Sequence, residues 1–135
     1  MPPTHRTNAK PQHPLTWPGI AHWERLFAVF LHLTILLYHV LIPVLPVLLL
    51  WLWRRNRSRF VDDHGRQALN FQITLLVYAA AATLISLVTC GAAVYVLAPA
   101  IYILGAAGTV LACIAAKAGR AFRYPMTIPF LPGAV

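Results

Sequence analysis

The chain has 135 residues, of which 59 % are hydrophobic and only 10 % are charged. A soluble domain normally carries about 25 % charged residues, so this chain has too few charges to cover a surface that faces water. Its 11 Lys and Arg outnumber its 3 Asp and Glu, and the formal net charge is +8. The composition excludes an ordinary soluble enzyme and predicts one all-α membrane protein domain.

The first part of the chain, residues 1–19, is polar and rich in proline and shows no apolar periodicity. This composition predicts a disordered tail. Residues 20–131 are expected to form the helical transmembrane domain, and residues 132–135 a short C-terminal tail.

The first apolar block, residues 26–53, contains no Asp, Glu, Lys or Arg. A straight helix of this length would measure about 42 Å, which exceeds a hydrocarbon core of about 30 Å. Pro43 and Pro46 interrupt the block, and proline breaks or kinks a helix. Two shapes remain open. One is a single kinked span, and the other is a hairpin with segments over about residues 22–42 and 44–53.

Two further apolar blocks, residues 67–90 and 92–117, are each long enough to cross a membrane and are joined by a short uncharged connection. Residues 54–66 between the blocks are predicted to be a polar loop. The basic residues lie outside the blocks, and short basic loops favour the cytoplasmic side. The hairpin brings all basic clusters to one side, so it is favoured. It predicts a compact bundle of about four hydrophobic segments in the plasma membrane, with both termini in the cytoplasm.

The expected partners follow from charge and from small residues. No alternation of aromatic and basic residues accompanies the positive charge, so lipid headgroups are expected rather than nucleic acid. Gly108, Ala112 and Ala116 recur every four residues and allow close helix packing, either within one chain or between copies of a homo-oligomer. The residues expected to contact anionic headgroups are Arg54, Arg55, Arg57, Arg59, Arg120 and Arg123.

One polar face enters the second apolar block. Asp63, Gln67, Asn70 and Thr74 follow one another at spacings of four, three and four, which places them on one side of a helix, with His64 beside them. Polar groups in membrane helices normally face the bundle interior or a water-filled cavity. Two interpretations remain open: the lining of a vestibule or binding site, and a hydrogen-bond network that locks the helices together.

The remaining ionisable residues suggest local structure. Asp62 and Asp63 are expected to cap the helix that begins near them, and Asp62 precedes Arg66 by four residues, the favourable helical order. His32 and His39 are seven residues apart, too far to bind one metal from a continuous helix, but folding could bring His64 to one of them. We expect no metal, no cofactor and no catalytic residue.

Three motifs carry a family resemblance: His32-Leu33, the stretch from Ser58 to Ile73, and Arg123-Tyr124-Pro125. With them, residues 22–131 resemble the bacterial family registered as domain of unknown function four-eight-seven-zero, which is similar to the chloroplast import component Tic-twenty. The resemblance implies four hydrophobic segments and a function in protein translocation or envelope biogenesis. The residues assigned to the motifs or to the membrane interface are Phe60, Asp62, Arg66, Phe71, Gln72, Arg123, Tyr124 and Pro125.

The sequence thus favours a non-enzymatic membrane protein that binds a partner or forms part of a membrane assembly. The alternative is a small oligomeric channel or transporter, with a polar path along the helix that carries Asp63, Gln67 and Asn70.

Overall fold

A computed structural model describes residues 17–34 and 44–132 of the chain. This part of the protein is all-helical and has no β-strand, as predicted. Its four helices are α1 (His22–Leu33), α2 (Val44–Arg54), α3 (Arg59–Val88) and α4 (Val94–Lys117).

The arrangement of α1 and α2 agrees with the hairpin. Trp23 and Phe27, near the start of α1, lie 5.8 and 5.5 Å from the guanidinium carbon of Arg54, at the end of α2. The two helices are therefore antiparallel. Residues 35–43, which include the predicted proline turn and the last part of the predicted first span, lie outside the described residues. Pro46 lies in the first turn of α2. N–H groups in the first turn have no hydrogen-bond partner within the helix, so the proline breaks no hydrogen bond there.

The prediction of a polar loop over residues 54–66 is wrong, because α3 begins at Arg59. Ser58 has an extended backbone and caps the helix, with its hydroxyl oxygen accepting a hydrogen bond from the Val61 N–H group at 3.4 Å. Asp62 and Asp63 lie about one turn inside the helix and form no cap. With 30 residues, α3 is about 45 Å long and exceeds the hydrocarbon thickness by several turns.

Glycines shape both ends of α4. Residues 89–93 connect it to α3, and Gly91 has a positive φ of 89° and donates a hydrogen bond to the Ser86 carbonyl at 2.7 Å. After α4, Gly119 has a φ of 69°, and the Arg120 N–H group donates to the Ala115 carbonyl at 2.9 Å. This is the glycine-terminated end expected of a helix that must stop sharply.

The first half of α3 forms the centre of the molecule. Its residues up to Leu75 are buried on nearly all sides by α1, α2, α4 and the chain that follows α4. Beyond Leu75, α3 and the first half of α4 project as a hairpin with a mostly apolar surface; Leu84 is 66 % exposed and Val88 86 %. Among the described helices, α3 and α4 are long and apolar enough to cross a membrane. Their outward apolar surface fits contact with lipid.

Close helix packing depends on small residues. The Trp51 indole of α2 lies against Gly65 of α3, where an added Cβ would overlap the ring. On α4, Gly108, Ala112 and Ala116 are all buried within the chain, and a Cβ at Gly108 would come within 2.7 Å of the Phe71 ring. The small-residue face of α4 therefore packs inside one protomer.

Gly65 provides a direct test of the contact between α2 and α3. We expect Gly65→Ala to lower the free energy of unfolding by about 1–3 kcal/mol, because the new methyl group overpacks the site against Trp51. Gly105→Ala is the matched control, since a Cβ there meets only Leu75 at an ordinary 3.5 Å. Thermal unfolding in detergent should show a lower midpoint for the first variant only. Equal midpoints for both variants would mean that α2 does not pack against α3 as described.

Candidate functional site on the buried face of α3

After α4 the chain folds back over α3. Residues 120–132, here called the strap, run along α3 as far as Met126, turn there at a positive φ of 57°, and return. The Met126 carbonyl accepts a hydrogen bond from the Tyr78 hydroxyl at 2.7 Å. On the way back, the Ile128 N–H group donates to the Thr74 hydroxyl at 3.0 Å.

Asn70 makes the most complete contact with the strap. Its amide oxygen accepts from the Leu131 N–H group and its amide nitrogen donates to the Leu131 carbonyl, both at 2.8 Å. A side-chain amide thereby satisfies both backbone groups of one strap residue, as a neighbouring strand would. Asn70, Thr74 and Tyr78 follow each other at intervals of four on one face of α3, so the returning strap lies along this face.

Asp63 is paired with the outgoing part of the strap. Its side chain is 0 % exposed, and Nη1 of Arg123 lies 3.0 Å from both carboxylate oxygens. A buried carboxylate without a partner would cost several kcal/mol, so Arg123 stabilises the position of the strap as well as the charge. Gln67 is also buried on this face. The predicted pair of Asp62 and Arg66 forms at 3.0 Å.

Three rings link α1, α3 and the strap in one chain of hydrogen bonds. Nε2 of His64 lies 3.1 Å from the Arg120 carbonyl oxygen, and Nδ1 of His64 lies 2.7 Å from Nε2 of His32. Nδ1 of His32 lies 2.7 Å from the Tyr124 hydroxyl. The predicted approach of His64 to a helix histidine is thus confirmed for His32, while His39 lies outside the described residues.

The donor and the acceptor of each of these hydrogen bonds follow from the bond between His64 and the Arg120 carbonyl group. A carbonyl oxygen can only accept, so Nε2 of His64 carries a proton and its Nδ1 accepts. His32 then donates from Nε2 and accepts at Nδ1, where the Tyr124 hydroxyl donates. Each nitrogen is satisfied with both imidazoles neutral, which is the form that a buried site favours.

Tyr124 lies in the interior and not at the membrane interface, where the sequence had placed it. Its ring stacks on Phe71 with a centroid separation of 3.9 Å. Burial, and secondarily the nearby Cys113, raise the pKa of the Tyr124 hydroxyl well above its ordinary value, so it remains a donor. Phe60 and Phe71 are buried as well, because the bundle covers the whole first half of α3. Pro125 is exposed at the turn of the strap.

Gln72 differs from the other buried polar residues. It is 0 % exposed, and neither its amide nitrogen nor its amide oxygen has a hydrogen-bond partner within the part of the chain that is described. Gln72 belongs to the motif from Ser58 to Ile73, and nothing in its sequence position predicts this burial.

The charged residues of the described segments all lie at the end of the molecule where α1 and α3 begin and α2 and α4 end. Arg55, Arg57, Arg59 and Arg120 are exposed there. The opposite end, residues 89–93, has no charged side chain. Within residues 17–34 and 44–132, no group of three or more His, Cys, Asp or Glu side chains is placed to hold a metal ion.

Comparison with known proteins identifies the family. Residues 23–131 match the model of the magnetosome magnetite crystal formation protein family. The chain belongs to this family. No curated protein and no solved structure matches it significantly. Together with α3 and α4, the family assignment makes the chain a membrane-associated magnetosome protein.

The resemblance to the family of unknown function and to Tic-twenty is therefore wrong, since the family model that matches is the magnetosome model. The motifs that carried the resemblance have a structural explanation. His32, the stretch from Ser58 to Ile73, and Tyr124 form the core that joins α1, α3 and the strap. Such motifs report how the helices pack, and packing alone does not specify a function.

Asn70 should control the attachment of the strap. In Asn70→Ala the Leu131 N–H and carbonyl groups lose their partners, and we expect hydrogen exchange at the amides of Leu131 and Ile128 to accelerate about tenfold or more. Thr83→Ala is the control, because the exposed Thr83 hydroxyl donates only to Ala79 of its own helix. Unchanged exchange at Leu131 in the Asn70 variant, measured by mass spectrometry, would contradict this attachment.

Proposed function

We propose that this protein is a multi-pass component of the magnetosome membrane that supports magnetite crystal formation without catalysing a reaction. The observation that carries the proposal is the exposed apolar hairpin of α3 and α4, in a chain that belongs to the magnetosome crystal formation family. This hairpin suits a protein that acts inside the membrane around the crystal.

The charge distribution supports one orientation in that membrane. The end that carries the charged residues faces the cytoplasm under the positive-inside rule, and the connection between α3 and α4 faces the crystal. This placement replaces the plasma-membrane location expected from the sequence and keeps the expected cytoplasmic C-terminus.

The same orientation favours an indirect role in mineral growth. The connection over residues 89–93 offers no carboxylate to iron or to a crystal surface. The contribution is then made through assembly of the membrane, by binding a partner protein or another copy of the chain. The strap covers Asn70 and Thr74 on the polar face of α3. This cover also favours the indirect role over a polar channel along α3.

The experiment combines deletion of the gene with complementation in the organism that makes the protein. Deletion should change the number or size distribution of the crystals in electron micrographs, and the unchanged chain should restore them. Val77→Arg should fail to restore them, because Val77 is 43 % exposed and lies midway between Arg66 and Val88, and an arginine near the centre of a membrane helix opposes insertion by about 3 kcal/mol. Asn56→Arg adds the same charge at the basic end and should restore normal crystals.

Two results would overturn the proposal. Crystals that do not change on deletion would remove the role in crystal formation. Full restoration by Val77→Arg would show that the exposed part of α3 does not need to enter the membrane.

A further inference from the structure

An apolar groove of about 580 Å³ opens along α1, away from the polar face of α3. Six apolar side chains of α1, between Trp23 and Leu33, line it, and Arg54 of α2 closes one end. Trp23, Leu26, Phe30 and Leu33 are each more than two-fifths exposed. The groove is thus an open apolar surface with one cation at its end.

Arg54 is held by aromatic rings and not by an acid. Its guanidinium carbon lies 4.4 Å from the centroid of the Trp53 ring and 5.5 Å from that of Phe27. Neither of the two ion pairs in the described segments includes Arg54, and its Nε is buried without a hydrogen-bond partner there. Aromatic faces attract the charge but leave the Nε–H donor without an acceptor. An anion that entered beside Arg54 would therefore find a positive charge and an unused N–H donor.

The dimensions of the groove match one leaflet of a bilayer. From Trp23 to Leu33 the helix rises by about 15 Å, which is half of a hydrocarbon core of about 30 Å. Arg54 lies at the end of the molecule where the other charged residues lie, so it is placed at the level of the headgroups. The groove then extends from the membrane surface toward the midplane.

From these observations we propose that the groove between Arg54 and Leu33 is a binding site for one anionic phospholipid. The phosphate accepts hydrogen bonds from the Arg54 guanidinium, and an acyl chain lies along Leu26, Phe30 and Leu33. The groove offers a positive charge at one end and only apolar contacts over the depth of one leaflet. These features favour a lipid over a peptide, because a peptide backbone would leave polar groups unpaired in the groove. The inference rests on the membrane location in the proposed function.

The test measures lipid binding by the purified full-length chain in a neutral detergent. Native mass spectrometry, with phosphatidylglycerol and phosphatidylcholine added in turn, counts bound lipids and gives apparent dissociation constants. We expect one tightly bound phosphatidylglycerol. Arg54→Gln should weaken its binding about tenfold, because a charge-assisted hydrogen bond is lost. Arg57→Gln removes the same charge from the exposed turn before α3 and should change binding less than about twofold.

A second variant tests the apolar part of the site. Leu26→Trp fills the groove but keeps Arg54, and it should also weaken phosphatidylglycerol binding while leaving size-exclusion behaviour unchanged. This variant keeps the inference testable if Arg54→Gln does not fold.

Several results would overturn the inference. Equal affinity for phosphatidylcholine, equal losses in the Arg54 and Arg57 variants, or unaltered binding in Leu26→Trp would each show that no specific lipid site exists here. Displacement of the lipid by inorganic phosphate would indicate a simple anion site. The assay measures lipid binding in detergent and does not depend on crystal formation. A failure of this inference can therefore be distinguished from a failure of the proposed function.

Discussion

The burial of polar groups in the first half of α3 is the constraint on which the rest of the structure depends. Asp63, His64 and Asn70 lie in an interior where each unpaired group would cost about 1–3 kcal/mol or more. The strap supplies the missing partners through the Arg123 guanidinium and its own backbone. The strap must therefore fold back over α3, and the histidine pair ties α1 to the same centre.

This arrangement divides the molecule into two unlike parts. Around the start of α3, four helices and the strap enclose a polar interior and present basic residues at the surface. Beyond Leu75, two helices continue alone with apolar side chains outward. The basic end of the first part suits the cytoplasmic surface of a membrane, and the apolar outer surfaces of α1 and of the second part suit its hydrocarbon interior. The groove begins beside Arg54 at the basic end and runs along α1 toward the second part, so its cation and its apolar lining are arranged like a lipid headgroup and its chains.

Hydropathy predicted the helical class and the two long apolar helices, because membrane spans are defined by local composition. It failed at the start of α3, since Asp62, Asp63 and Arg66 look like loop residues until their partners are known. The polar face was visible from its spacing. Its partners were not, because Arg123 and Leu131 lie about sixty residues away in sequence and carry no local signal. The motifs also suggested the wrong family, because their residues form packing contacts, and packing alone does not specify a function.

The most direct test of this division is the location of the two ends of α3. Cys90 is exposed at the connection between α3 and α4, and Ser58 precedes α3. In a chain with Cys113→Ala, sealed vesicles of known orientation can be labelled with an impermeant thiol reagent at Cys90, or at Ser58→Cys after Cys90 is replaced by Ala. The structure and the proposed orientation predict labelling from opposite faces, with Ser58→Cys on the cytoplasmic face. Labelling of both positions from the same face would contradict a membrane-crossing α3.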